Sequence, residues 1–439
     1  MFTKQTYQKR RTQFMKKMKS GACLLFSAPA VVRNNDVEHP YRQDSNFYYL
    51  TGFEEPHAVA LFLPKAKKDK FILFCRPKNP SQEIWVGKRA GLQGTVNQFG
   101  ANKAYPINDL HKQLTKHLQG NKALYYQLGI CEQQDDLIKG QLNKLRSQVR
   151  AGITYPTEIK DPTSIIHEMR LIKTPEEIKA IKEAIQISAE GHEVAMQIAK
   201  PGLNEYEVDA ALQYYFRSNG SKRLGYPNIV ASGDNATTLH YTENNRKMKS
   251  GDLLLIDAGT EMHYLTADIT RTFPVNGKFT KEQAAVYQVV LNAQKAAIKR
   301  VKPGVTFQSI HDLTVRKITE GLKSLGVLKG PIKRLIEKQS YTKFYMHRTS
   351  HWLGMDVHDA GAYQEKGKSR KLKAGMILTV EPGLYFRKNQ KGCPAKYKGI
   401  GVRIEDDVLV TRSGCQVLSK AAPKEIHEIE SIVGLAEAF

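Results

Sequence analysis

The sequence predicts a two-domain protein of mixed α/β class. At 439 residues the chain is longer than one ordinary hydrophobic core accommodates. Residues 1–160 alternate short apolar runs, such as Ala58–Leu63, Phe71–Phe74 and Leu124–Leu128, with turn clusters and polar helical segments. Beyond them, a strongly marked helix start is followed by several apolar strands that end in carboxylates.

From the N-terminus, a basic stretch (Lys9, Arg10, Arg11, Lys16, Lys17, Lys19) precedes Ala22-Cys23-Leu24-Leu25-Phe26. It superficially resembles a secretory leader. Its apolar segment of about five residues is shorter than the 7–15 a leader uses, and it is expected to form a first buried strand. The stretch from His39 to Phe53 is dense in aromatic and polar residues and is expected to be a packed loop or strand edge. At Thr174-Pro175-Glu176-Glu177, a Thr cap, a Pro at the first helical position and a Glu three residues on together start a helix. Ile178, Ile181, Ile185, Ala189, His192 and Met196 continue it as one apolar stripe, which makes His192 a packed histidine rather than a ligand. We expect domains at 1–165 and 166–439.

Composition narrows the class. Apolar residues make up 41% and charged residues 25%, as in a soluble globular protein. No apolar run approaches the roughly eighteen residues of a membrane span. The five cysteines are scattered without a C-x-x-C pair, which argues against a disulfide framework or zinc knuckle and for a reducing, cytoplasmic setting. The net charge of +24 suggests nucleic acid. The basic residues are spread along the chain, however, and no nucleic-acid-binding motif accompanies them, so neither a specific nucleic-acid partner nor a membrane is expected.

The chemistry lies in the second domain. Leu253–Gly259 is a buried-strand pattern ending in Asp257, and Leu265–Phe273, with Asp268, reads as the returning strand of a hairpin that sets the two carboxylates side by side. Met376–Gly383 carries Glu381 and Gly401–Val410 carries Glu405. Read as one continuous strand, the latter puts Arg403, Glu405 and Asp407 on one face. Between these segments lie His347, His351 and His358, and His240 stands earlier in Leu239-His240-Tyr241. Ionised carboxylates buried without a partner cost several kcal/mol each, so a cation must sit among them. Asp257, Asp268, His351, Glu381 and Glu405 are the donor set that two divalent metals sharing a site need, and four oxygens with one nitrogen favour Mn, Fe, Co or Zn. These residues alone read as a two-metal hydrolase.

The order Asp, Asp, His, Glu, Glu, together with residues 39–53, Leu239–Asn244, Ser350–Gly354, Glu381–Tyr385 and Gly401–Asp407, resembles the pita-bread metallopeptidases of the aminopeptidase P family. The resemblance spans roughly residues 5–430. It departs at Arg348-Thr349, where related enzymes tend to have small or apolar residues, and in its strong positive charge. It implies a catalytic pita-bread domain preceded by a creatinase-like α/β domain that limits the substrate and forms oligomers. It also implies two divalent ions per chain, Mn2+ the expected ion, and peptide substrates with proline at position two. By resemblance, Asp257 holds the first metal, Asp268 and Glu405 bridge both, and His351 and Glu381 complete the second. A water between two such ions has its pKa lowered towards about 7, which supplies the nucleophile. Glu381 resembles the proton shuttle, His240 and His358 the stabilisers of the developing oxyanion, and His347, Tyr385 and Arg403 the residues on the proline side. Trp85 matches a position able to reach a neighbouring subunit in a dimer or tetramer, and a core tryptophan is the other reading of it. The near alternative is a prolidase acting on Xaa-Pro dipeptides. A metal-free binding module is the alternative from another class, and the intact donor set argues against it.

Overall fold

The computed structural model describes residues 2–436 and divides into two compact units, one running to Met169 and the other beginning at Arg170. Helix and sheet are mixed in both.

In the N-terminal unit a six-stranded sheet runs Lys103–Pro106, Phe71–Cys75, Val59–Phe62, Ala22–Phe26, Ala123–Tyr125, Glu158–Lys160. Its central pairs are antiparallel and its outer pairs parallel. Ala22–Phe26 is a buried strand, as its composition predicts, and it lies in the interior of the sheet. The basic stretch before it forms the helix Lys4–Met18 and is partly consumed by packing. Arg11 is buried and donates to the carbonyls of Leu50, Phe99 and Gly100, near the C-terminal ends of two helices where positive charge is favoured. The stretch 39–53 corrects expectation: Ser45–Thr51 is a helix, capped by Asp44 Oδ1 accepting from Phe47 N at 2.7 Å and closed by Gly52 at φ 66°. Seven residues are too few for helical periodicity to stand out from an aromatic-rich composition.

The C-terminal unit starts on the helix Pro175–Ile198, with Thr174 and Glu177 satisfying each other's backbone N–H groups. Ile181, Ile185, Ala189, His192 and Met196 of the predicted stripe are buried. Behind the site, Leu253–Ala258 pairs with Ile229–Ser232 on one side and Ile269–Pro274 on the other. The expected hairpin is present, but its loop builds a further small ladder, Thr260–Met262 with Leu265–Thr266. Gly259 is required at this corner, because a Cβ there would lie 1.9 Å from Ala267 O. The register sets Asp257 opposite Thr270, and Asp268, two residues before Thr270, shares that residue's face.

The run 401–410 is not one strand. Ile400–Arg403 pairs with Gly383–Phe386, whereas Asp406–Val410 pairs with Ile377–Val380. Pro382 has no N–H to give to a ladder, so the partner chain is interrupted where Glu381 stands. The two interruptions face each other, and Glu405 N turns instead to Thr270 O at 3.1 Å. Below them Asp406 is fully buried and accepts from Arg271, Gln294, Ser419 and Lys424; against the upward push of burial, Arg271, Lys424 and the Ser419 hydroxyl pull its carboxyl down to about 2.

His192 has its Nε2 3.1 Å from Ala258 O and is fully buried; burial first, then repulsion from Arg271, lowers its pKa from 6.5 to about 4. A histidine folded in its neutral form stabilises above pH 6.5, and that stability is lost as pH falls through 4, on the order of 3 kcal/mol in all. His192→Gln places an amide donor near the Nε2 position for Ala258 O but does not titrate. Urea unfolding between pH 7 and 4 is therefore expected to show a shallower acid-side loss in the variant than in the parent.

Candidate metal centre

One cavity of about 1070 Å3 in the C-terminal unit is lined by Asp257, Asp268, His351, Glu381, Arg403 and Glu405, with His240, His347 and His358 on its walls. Asp257, Asp268 and Glu405 are buried and Glu381 is largely so. Asp268, His351 and Glu405 each bring a donor atom to within 4.8 Å of the other two, a spacing that one ion spans. His351 is placed by strand-like pairing: Thr379 N donates to His351 O and Glu381 N to Thr349 O, at 3.0 and 2.8 Å. Its Nδ1 lies 3.0 Å from Trp352 O and donates to it, and Nε2 faces Asp268 Oδ2 at 3.2 Å and Glu381 Oε1 at 3.5 Å, carboxylates that raise the ring's pKa to about 9 against its burial. A metal-binding imidazole keeps its proton on Nδ1 in this way and binds through Nε2.

Two further observations fit a cation. The Tyr226 hydroxyl lies 2.6 Å from both Asp257 Oδ1 and Asp268 Oδ1, but it has one proton to give. The protein's own groups also leave the cluster short of positive charge. Burial, reinforced by Asp268, Glu381 and Asp257, pushes Glu405 far above the usual carboxylate range. Burial takes Glu381 up to about 7 despite the opposing charge of His351, and raises Asp268 as well. Asp257 alone falls, because Arg403 and the Tyr226 hydroxyl outweigh its burial. The donor set therefore suits divalent cations, with Asp257, Asp268, His351, Glu381 and Glu405 the residues able to hold them.

A chain of hydrogen bonds supports this cluster. Arg403 Nη2 donates to Asp257 Oδ2 at 2.6 Å, its Nη1 to the Tyr385 hydroxyl at 3.2 Å, and its Nε to Thr270 Oγ1 at 3.1 Å. Thr270 Oγ1 in turn donates to Glu405 Oε2 at 2.6 Å. Because the Tyr385 oxygen accepts from Arg403, its own proton is directed to His347 Nε2, 2.9 Å away. His347 Nδ1 then donates to Arg348 O at 2.8 Å, and burial followed by Arg403 lowers its pKa to about 3, so the ring is neutral. His358 stacks edge-on to His351 at 4.5 Å between centroids, and His240 is exposed on the wall.

All the predicted residues of the C-terminal unit converge here, Tyr385 standing just behind the lining. Trp85 belongs to the N-terminal unit and is 87% exposed, which rules out the core reading. Sequence reasoning missed Tyr226, Thr270 and His311. Gly225-Tyr226-Pro227 signals a turn, but no local pattern marks a tyrosine as a partner for two distant aspartates.

This geometry has known relatives. The profile of metallopeptidase family M24 matches residues 179–412, and that of the aminopeptidase P N-terminal domain matches residues 7–125. The chain belongs to metallopeptidase family M24, whose members use divalent metal ions. Within it, the chain is 44% identical to the Xaa-Pro aminopeptidase of Haemophilus influenzae, over 98% of this chain and 97% of that protein. It is 40% identical to the Xaa-Pro aminopeptidase of Escherichia coli over 98% of each. Its fold superposes on Pseudomonas aeruginosa aminopeptidase PepP with a TM-score of 0.96 at 45% identity, covering 98% of both chains. Zn-substituted E. coli aminopeptidase P in complex with product superposes at 0.95, with 40% identity and 98% coverage of both.

Tyr226→Phe removes the one proton shared by Asp257 and Asp268 while keeping the ring. Loss of a hydrogen bond that orients a metal ligand typically costs about 10- to 100-fold in metal affinity. Titration of chelator-stripped Tyr226→Phe with Mn2+ is expected to show a loss of that size, and parental affinity would exclude Tyr226 from the site.

Proposed function

We propose that this chain is a Xaa-Pro aminopeptidase, a metal-dependent hydrolase that releases the N-terminal residue from peptides whose second residue is proline. The observation that carries the reading is the convergence of Asp268, His351 and Glu405 donor atoms beside the His347–Tyr385–Arg403 chain, in one cavity. Similarity over nearly the full length to proteins named for that activity supports it. Asp257, Asp268, His351, Glu381 and Glu405 hold two divalent ions, Mn2+ in our reading. When bound, the ions supply a nucleophilic water at neutral pH and polarise the scissile carbonyl.

The chain's own groups do the rest. Glu381 takes a proton from the attacking water on a carboxylate oxygen and passes it to the proline nitrogen. That nitrogen carries no N–H in the intact bond and must be protonated to leave. His240 and His358 donate to the oxygen on which negative charge develops. His347, held neutral and oriented by Tyr385, lines the proline side with Arg403 behind it. A prolidase is the second reading; a cavity of about 1070 Å3 with exposed walls has room for more than a dipeptide and favours the aminopeptidase.

Five free cysteines are consistent with a cytoplasmic setting, and no helix of the described residues is long and apolar enough to cross a membrane. Neither a specific nucleic acid nor a membrane is part of this reading. The substrate-limiting and oligomer-forming roles belong in our reading to residues 1–165. There Ile84, Trp85 and Val86 are 82%, 87% and 68% exposed in succession, an apolar knuckle that a second copy in a homodimer or tetramer would cover. Trp85→Glu is accordingly expected to lower the mass found by analytical ultracentrifugation.

The decisive assay strips the protein with chelator, restores Mn2+, and offers an Xaa-Pro-Xaa tripeptide and an Xaa-Pro dipeptide in parallel. Metal-restored release of the first residue, faster from the tripeptide, is expected. Dipeptide-only cleavage would make the protein a prolidase. Glu381→Gln is expected to keep most of its metal and lose about 10²- to 10⁴-fold in kcat, and near-parental turnover would remove Glu381 from the proton path.

A further inference from the structure

Next to His347, the cavity wall carries an unusual side chain. Arg348 lines the same cavity as the metal cluster and is exposed within it. Among the described lining residues only Arg348 and Arg403 carry a fixed positive charge, and their situations differ. Arg403 is buried and bonded to Asp257. Arg348 has a neutral partner, donating from Nη1 to Gln308 Oε1 at 3.1 Å.

The root of the side chain is fixed on both sides. Arg348 O accepts from His347 Nδ1, and Thr349 O accepts from Glu381 N. Thr349 is fully buried, with its hydroxyl 2.9 Å from His311 Nδ1 and 2.7 Å from the Tyr345 hydroxyl. Gln308 is oriented as well, because its amide nitrogen donates to Asp312 Oδ1 at 2.8 Å, which turns Oε1 toward the guanidinium. One of five guanidinium N–H donors is thereby committed, and the planar fork is held at the exposed wall of the cleft. Holding the group in place at both its root and its tip lowers the entropy lost when it binds.

We propose that Arg348 is a specificity-determining residue that binds a carboxylate on the leaving-group side of the substrate, beyond the proline. The proposal rests on reading the cleft as that of a Xaa-Pro aminopeptidase with His347 against the proline. An extended peptide advances about 3.3–3.6 Å per residue. On that reading, the residue after the proline is placed at the wall position following His347, which Arg348 occupies. The carboxylate has two possible sources, the C-terminus of a tripeptide or an Asp or Glu side chain at the third position.

The test uses the Mn2+-loaded full chain and two peptide pairs. Ala-Pro-Ala is compared with its C-terminal amide, and Ala-Pro-Glu-amide with Ala-Pro-Gln-amide. The parent is expected to favour the anionic member of at least one pair by about three- to tenfold in kcat/KM, expressed mainly in KM. The preference is expected to shrink as salt is raised to about 1 M. In Arg348→Gln the ratio falls to near one, and Arg348→Lys recovers part of it. Preference within the first pair identifies the C-terminus as the source, and within the second the side chain. Equal rates in the parent, or a preference that survives in Arg348→Gln, overturn the proposal. Hydrolysis of no peptide by the parent overturns instead the reading of the cleft, and the proposal with it.

Discussion

Asp257, Asp268 and Glu405 are taken out of water within one cavity, and Glu381 nearly so, and each makes it more costly to ionise the next. Repulsion of this kind in a low-dielectric interior is worth several kcal/mol per pair unless a cation intervenes. Much of the C-terminal unit is organised around that problem. Arg403 answers it for Asp257, the Tyr226 hydroxyl offers a single proton to two aspartates, and His351 turns Nε2 toward Asp268 and Glu381, which raise its pKa to about 9 against its burial. What remains unbalanced is what divalent ions supply.

The sheet delivers the carboxylates by its irregularities. A regular ladder would point alternate side chains to opposite faces and keep its backbone groups paired. At Pro382 and at Ile404-Glu405 the pairing changes partners, so Glu381 and Glu405 stand where the backbone is free to turn them inward. That freedom would be a weakness without the polar floor beneath. Arg271 spans it, donating to Glu405 O at 2.6 Å and to Asp406 Oδ1 at 2.8 Å. Replacing Arg271 by a neutral residue would leave Asp406 buried with its partners depleted, which is the costly way to break such a pair.

The sequence shows the parts of this site that obey local rules. Apolar strands that stop at a carboxylate are visible because a charge inside such a run has no ordinary structural explanation, and Asp257, Asp268, Glu381 and Glu405 all stand that way. The start of the helix at Thr174 is visible because its cap is a local pattern. The alternation that groups Arg403, Glu405 and Asp407 survives in the contacts of those side chains, although the strand assumed to carry them is broken. Tyr226 and Thr270 were illegible because their partners are non-local: Tyr226 lies 31 residues from Asp257 and 42 from Asp268 along the chain. The helix Ser45–Thr51 was hidden for a different reason, since its cap is a single aspartate and its length is two turns.

The chain's excess of positive charge divides by chemistry. The buried cations are arginines at positions 10, 11, 170, 271, 370 and 403, with Lys173 the one lysine among the described residues. A guanidinium can satisfy several fixed acceptors at once, as Arg271 does with carbonyls and Asp406 together. An ammonium presents a compact, strongly hydrated charge and is better left in water. Part of the basic character is therefore internal scaffolding, which is why it follows no nucleic-acid-binding motif along the sequence. Arg348 differs from these arginines because it meets the solvent of the cavity with a neutral partner. Structural arginines are enclosed by their acceptors, whereas an arginine held in place beside an open cleft still has donors to offer a ligand.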